Sequence, residues 1–252
     1  MYTITKDTIG EAHEAVVRLI MSAEDYNDVL TEDKEYTFEA PEPVNIHIRY
    51  PEQHPLSSPS LMFGDLSLDD YCRQMQNPRM LVDREGLPDF SYLYSNLIKD
   101  YPSGVPFPVM YKGRLARIDW PHGNGRGNGK DQIRGVIDKL LKAPTSRRCV
   151  VTLFEPYGHP MMDDPPCLNH IQFLLRNNCL NMHALFRSND MLSAWGGNAY
   201  ALMNLQRAVL GDLNIAGGTD YKMGWLETTS VSAHVYCKRD SQELDQFKNW
   251  WH

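Results

Sequence analysis

The run PPCLNHIQFLLRNNCLNMHALFRSND, residues 165–190, decides how this chain reads. Within it IQFLL (171–175) and CLNMHALF (179–186) are rich in β-favouring residues, and they are joined at Arg176-Asn177-Asn178, so the spacing predicts two successive strands. Working outward, CVVTLF (149–154) predicts a strand before them. Upstream of it, DQIRGVIDKLLKAP (131–144) sets Ile133, Val136, Ile137, Leu140 and Leu141 on one helical face, with Pro144 closing the helix. Downstream, 198–213 returns to helical spacing and SAHVY (232–236) predicts a last strand.

The first hundred residues carry weaker signals. Residues 8–30 place Ala12, Ala15, Val16, Leu19 and Ile20 at helical spacing after a threonine cap. Residues 36–50 read as strand, Pro-Glu-Pro turn, strand, with Val44, Ile46 and Ile48 on one face. Short helices are expected over 67–77 and 91–99. HGNGRGNGK (122–130) is too irregular for a phosphate loop and reads as a surface loop. With no repeat or visible boundary, the expectation is one α/β domain over 1–252, with a large mixed or antiparallel sheet flanked by helices.

At 252 residues and 42% hydrophobic content the chain can bury a full core. A formal charge of −7 offers no broad basic surface, which excludes duplex nucleic acid as a partner and leaves phosphate to a few focused arginines. No apolar run approaches the roughly 20 residues that span a bilayer. The N-terminal sequence lacks signal-peptide order, so no membrane partner and a cytoplasmic location are expected. Five cysteines, widely spaced and without a CxxC pair, argue against a disulfide framework or a zinc site.

Pro165-Pro166-Cys167 lies where a loop enters a strand, a place where a thiol can be held open to a ligand. A lone cysteine is more often packing than nucleophile unless cations surround it. Arg147 and Arg148 at the start of one strand, and Arg187-Ser188 at the end of another, offer guanidinium forks suited to phosphate. Taken alone, Arg147-Arg148 would read as a solvated corner.

In this order SRRCVV, PPCLNHIQF, RSND, GGNAYAL and SAHVY resemble the thymidylate synthase family, which includes the deoxycytidylate hydroxymethylases. The resemblance runs from about Asp131 to Tyr236, and Tyr111-Lys112-Gly113-Arg114 matches an upstream tyrosine motif, giving Tyr111 a catalytic place. Before residue 100 the match is faint. The resemblance implies a sheet-to-sheet homodimer acting on a pyrimidine nucleoside monophosphate, with 5,10-methylenetetrahydrofolate or a related reduced pterin as co-substrate. It implies that Cys167 adds to C6 of the base, making C5 nucleophilic toward the one-carbon unit. Arg187 and Ser188 would hold the phosphate with Arg147 and Arg148 from the other subunit. Asn198 would read the base edge, since a primary amide both donates and accepts, and this favours uracil. His234 and Tyr236 would bond the sugar hydroxyl. Asp190 would position pterin or base, its packing alternative being a helix cap near Met191.

Three departures stand out. Leu168 follows Cys167 where the family has histidine, and the next histidine is His170. Met75 falls where a glutamate relays protons, with Asp69 or Asp70 as substitutes. Only sixteen residues follow Tyr236, a short form without the family's closing tail, ending in Trp250, Trp251 and His252. The reading is therefore a one-carbon transferase, most simply converting dUMP to dTMP. A hydroxymethylase of dUMP, dCMP or CMP is the alternative, and a non-catalytic nucleotide- or RNA-binding protein is the third.

Overall fold

The computed structural model describes residues 1–22, 27–32, 34–58, 68, 71, 72, 75, 94–99, 107–111, 114–118, 131–156, 159–242, 244 and 245. In chain order the first elements are β1 (Tyr2–Lys6), α1 (Ile9–Ser22), β2 (Asn27–Leu30), β3 (Tyr36–Glu39) and β4 (Val44–Ile48). Then come α2 (Tyr94–Lys99), β5 (Phe107–Tyr111), β6 (Arg114–Ile118), α3 (Gln132–Lys142) and β7 (Val150–Thr152). The last are β8 (Leu168–Arg176), β9 (Cys179–Asp190), α4 (Trp195–Gly217) and β10 (Lys222–Tyr236).

The two strands predicted from the opening stretch form an antiparallel hairpin, turned by Asn177 and Asn178 at φ 51° and 62°. Asparagine tolerates that left-handed region, and paired positive φ angles make a turn whose twist matches the strands it joins. The hairpin lies inside a mixed sheet running β1-β4-β10-β9-β8-β7, with β3 on β10 and β2 on β3. β1–β4 and β9–β10 are parallel and the other described pairs antiparallel. A separate two-stranded ribbon joins β5 to β6.

One row across the sheet, Ile46, Thr228, Ala184, Ile171 and Val151, is buried to within 1% beneath the helices. α1 packs on β1, β4 and β10, α4 on β9 and β10, and both α1 and α3 on α4. Fully buried Trp195, Phe173 and Phe186 centre this core, each contributing about 1.5–3 kcal/mol over an exposed side chain. Asp131 caps α3 by accepting from the Arg134 amide at 3.0 Å. Gly196 opens α4 because a Cβ there would lie 2.6 Å from the His13 ring of α1. Gly218 closes α4 in the left-handed region.

The next row, on the opposite face, is His47, Glu227, His183, Gln172 and Val150. This face is partly exposed: Val150 is 37% exposed and Val231, on the same strand as Glu227, is 53% exposed. His47 bonds Glu227 at 2.9 Å and His183 bonds Thr229 at 3.0 Å.

Several expectations need correction. The helix predicted over 8–30 ends at Ser22, and residues 27–30 form a strand because β3 supplies an edge to pair with. Tyr2–Lys6, unassigned from sequence, is a strand held parallel to β4. Leu141 is 36% exposed rather than in the core, because only four of the five apolar residues of α3 fit under the contact face. Leu68, Tyr71, Cys72 and Met75 are helical as expected. Residues 122–130, Asp69, Asp70, Trp250 and Trp251 lie outside the described residues.

Candidate functional site

Cys167 sits one residue before β8 and is half-buried. Its carbonyl accepts from the Arg187 amide at 2.9 Å, which fixes Arg187 directly across the hairpin mouth. The Arg187 guanidinium reaches back to the loop, donating from Nε to the Pro166 carbonyl at 3.1 Å and from Nη2 to the Pro165 carbonyl at 2.5 Å. Asn169 also donates to the Pro166 carbonyl, at 3.1 Å. From the other side the Tyr94 hydroxyl accepts from the Leu168 amide at 3.2 Å. The thiol therefore stands on a backbone held by three side chains, one of them the Arg187 guanidinium bonded to the two prolyl carbonyls that precede it.

A chain of hydrogen bonds runs near the thiol. Tyr71 donates from its hydroxyl to Asn198 Oδ1 at 2.5 Å. Asn198 Nδ2 donates to Asn189 Oδ1 at 3.4 Å, and Asn189 Nδ2 donates to Ser230 Oγ at 3.4 Å. Burial, and after it the charges of Tyr94 and Cys167, push the Tyr71 phenol well above its ordinary range, so it stays neutral. Met75, helical like Tyr71, is buried at 3%.

A second cluster closes the end of β9 and β10. Asp190 Oδ1 accepts from the amides of Leu192 and Ser193, each at 3.1 Å, so the carboxylate caps the turn that leads into α4. Asp190 Oδ2 is ion-paired with Arg239. Arg239 also donates to both oxygens of Asp240, at 2.7 and 2.9 Å, and lies 3.9 Å over the Tyr236 ring. Burial opposes the guanidinium's charge, but Asp240 and Asp190 outweigh it and push its ionisation up. The His234 and Tyr236 rings meet edge to face at 5.1 Å. Burial lowers the His234 pKa, against the opposing pull of Asp190 and Glu39, so the ring is neutral near neutral pH.

Of the residues singled out in the sequence, the hairpin and β10 bring Cys167, Arg187, Ser188, Asp190, His234 and Tyr236 to one end of the sheet, where Ser188 pairs with Ser232 and Asp190 with His234. Asn198 joins them through Asn189. Arg147 and Arg148 are exposed and stand at the other end of the hairpin, where Gln172 Nε2 donates to the Arg147 carbonyl at 2.9 Å. At about 3.3 Å per residue, Gln172 is roughly 17 Å along β8 from Cys167. Within this chain Arg187 and the Arg147-Arg148 pair do not meet. Tyr111 pairs with Arg114 at the turn end of the β5–β6 ribbon. No grouping of three metal-binding side chains occurs among the described residues, and none of the helices searched there is long and apolar enough to cross a membrane.

Sequence reading missed Tyr71, Tyr94, Asn189, Ser230 and Arg239. Asn189 lies inside the quoted RSND run, and Arg239 follows Tyr236 by three residues. Tyr71 and Tyr94 come from stretches whose tertiary placement no local periodicity discloses.

A family model described as thymidylate synthase matches residues 89–249. The chain is 28% identical over 169 residues to the "Putative thymidylate synthase" of Methanosarcina acetivorans, covering 67% of this chain and 61% of that protein. With the protein of the same name from Methanocaldococcus jannaschii it is 30% identical over 152 residues, 58% of this chain and 64% of the other. With the "Thymidylate synthase" of Haloferax volcanii it is 31% identical over 135 residues, 52% of this chain and 37% of the other. The match thus spans under two thirds of the length of these relatives.

Proposed function

The chain belongs to the thymidylate synthase family, and we propose that it transfers a one-carbon unit to C5 of a pyrimidine nucleoside monophosphate, converting dUMP to dTMP. The observation that carries this reading is the half-buried Cys167 at the hairpin mouth with Arg187 locked beside it. A thiolate there has a neighbouring cation to stabilise it. Its addition to C6 pushes the C5–C6 electron pair toward C4–O4, so that C5 becomes nucleophilic and would bond the methylene carbon offered by the reduced pterin; loss of the C5 proton would expel the pterin nitrogen, a hydride from that pterin would complete the methyl group as the pterin is oxidised, and departure of the sulfur would restore the ring. Asn198 reads the base edge. Ser188 and Arg187 hold the phosphate, and the neutral His234 and Tyr236 bond the sugar hydroxyl. Tyr111 is assigned to proton transfer at the base.

5,10-Methylenetetrahydrofolate or a related reduced pterin supplies the carbon. Asp190 suits the polar N–H edge of a pterin: its side chain is 11% exposed, and each carboxylate oxygen has two lone pairs to share. The partly exposed sheet face, with Val150 and Val231 open on it, supports a homodimer in which two such faces pack together. That arrangement gives Arg147 and Arg148 of the partner subunit a route to the phosphate, which their distance from Cys167 within one protomer denies them.

Mass spectrometry of the nucleotide product after incubation with dUMP or dCMP and methylenetetrahydrofolate tests this reading. A product 14 Da heavier, with pterin oxidation, is expected from the chemistry of reductive methylation. A hydroxymethylated nucleotide without pterin oxidation would instead establish the hydroxymethylase, and no product from either nucleotide would overturn the assignment.

A further inference from the structure

We propose that Arg239 is a positioning residue for the pterin co-substrate: anchored on Asp240, it fixes the single acceptor position that the Asp190 carboxylate keeps open. The inference rests on the assignment of Asp190 to the pterin made above.

A carboxylate offers about four acceptor positions, two on each oxygen. At Asp190 the amides of Leu192 and Ser193 both donate to Oδ1, each at 3.1 Å, which fills that oxygen. Oδ2 accepts from Arg239 Nη2. Among the described residues no other donor bonds this carboxylate, so the position left for a ligand N–H lies on Oδ2, the oxygen that Arg239 holds.

Anchoring Oδ1 alone does not aim Oδ2. The last torsion of an aspartate is broad rather than staggered, so the carboxylate plane swings about its bond to Cβ until the second oxygen is tied. Arg239 makes that tie and is itself held in place. Its Nε and Nη2 donate to the two oxygens of Asp240 at 2.7 and 2.9 Å, a fork-to-fork pairing that fixes the guanidinium plane. Asp240 is buried and accepts from Ser193 Oγ at 2.9 Å. The bonds close a ring: Asp190 to Arg239, Arg239 to Asp240, Asp240 to the Ser193 hydroxyl, and the Ser193 amide back to Asp190. Two carboxylates share one guanidinium in this ring. Without it they repel each other, and Asp190, tied by one oxygen, is the one free to turn.

The nucleotide side depends on Arg239 far less. The guanidinium lies 3.9 Å over the Tyr236 ring, but that ring also meets His234 edge to face, and the Tyr236 backbone pairs with Thr37 of β3. Loss of Arg239 therefore leaves the residues assigned to the sugar in place.

Tetrahydrofolate binding to the full chain saturated with dUMP is to be measured by calorimetry, with dUMP binding measured alongside. The proteins compared are the unmodified one, Arg239→Gln, Arg239→Lys, Asp190→Ala and the Asp190→Ala, Arg239→Gln combination. Arg239 is half-exposed, so its replacement leaves the core intact. Arg239→Gln should weaken tetrahydrofolate about tenfold, the scale of a charge-assisted hydrogen bond taken from its best geometry, and dUMP by less than about twofold. Arg239→Lys should recover little, since an ammonium cannot bond Asp190 and both oxygens of Asp240 in one plane. In the Asp190→Ala background Arg239→Gln should have no further effect, because the carboxylate through which Arg239 acts is gone.

Three results overturn the proposal and leave the functional assignment standing: tetrahydrofolate affinity unchanged in Arg239→Gln, equal losses for tetrahydrofolate and dUMP, or a loss that persists undiminished in the Asp190→Ala background. The last of these would put Arg239 in contact with the pterin itself. Failure of the unmodified protein to bind tetrahydrofolate overturns the assignment of Asp190 and this inference together.

Discussion

Cys167 stands between two walls made in different ways. On one side are β8, β9 and β10, which deliver Arg187, Ser188, Asp190, His234 and Tyr236 by strand pairing, each position fixed by the ladder and by register with its neighbour. On the other are Tyr71 and Tyr94, which reach the thiol's backbone and the Asn198 amide through single side-chain bonds from helical stretches far upstream. A wall built on ladders loses little precision when one side chain changes. A wall built on single bonds shifts with each one.

The largest expected effect falls on the strand wall's occupant. Cys167→Ala should reduce turnover by at least about a thousandfold while nucleotide binding persists, because the ladder around residue 167 does not depend on its sulfur. Turnover within tenfold of the unmodified protein would remove the covalent step from the mechanism.

The strand wall also has a foundation that can be titrated. His13 of α1 donates from Nε2 to the carbonyls of Met191 and Leu192, at 2.8 and 3.1 Å, just past β9. Burial holds its pKa down at about 4, against 6.5 when unfolded. The folded state therefore binds fewer protons than the unfolded chain between these values, and stability present in full above pH 6.5 is lost as the pH falls toward about 4, with no further loss below. The shift corresponds to something on the order of 3 kcal/mol for this fully buried ring. Denaturant unfolding across that window should show the slope, and His13→Gln should remove a large part of it. A slope unchanged in the variant would mean other buried histidines, such as His159, carry it.

The difference between the walls is also the difference between what local pattern discloses and what it does not. The β8–β9 hairpin, the apolar faces of β4 and α3 and the placing of Cys167 at a strand mouth all follow from period and turn chemistry, which act over a few residues. β1 escaped because Tyr2–Lys6 alternates with threonines and lysine rather than with a clear apolar face, and its strand character depends on pairing with β4. Residues 27–30 escaped because a helical pattern was extended across a region whose conformation a neighbouring strand decides. Tyr71 sits in an acidic stretch that reads as a solvated helix face, and only the sheet it packs toward makes it part of a site. Asp190 illustrates the middle case: its capping of the following turn was foreseeable, whereas its pairing with Arg239 depends on how the chain returns after β10.

Arg187 tests whether the ladder alone suffices. Arg187→Ala keeps the backbone bond to Cys167 but removes both bonds to the Pro165 and Pro166 carbonyls and the guanidinium proposed to hold the phosphate. We expect a loss of about ten- to a hundredfold in kcat/KM, with Arg187→Lys recovering little because an ammonium cannot reproduce the fork. Full recovery by lysine would reduce the role of Arg187 to charge alone.

Tyr94→Phe should give the smallest effect and the sharpest comparison. It leaves the Leu168 amide, in a fully buried residue, without the oxygen it donates to. A lost neutral hydrogen bond of this kind costs about 1 kcal/mol, which should appear as a fall of several degrees in Tm. If the strand ladder sets the position of Cys167, stability will drop and the rate of Cys167 alkylation by iodoacetamide will not change. If the single bond from Tyr94 sets it, that rate will change by several-fold along with the stability. We expect the second result, because Leu168 is the first residue of β8 and the register between β8 and β9 shifts between Leu168 and His170. At that irregularity the ladder constrains the backbone least, and a side chain from outside the sheet has the most to decide.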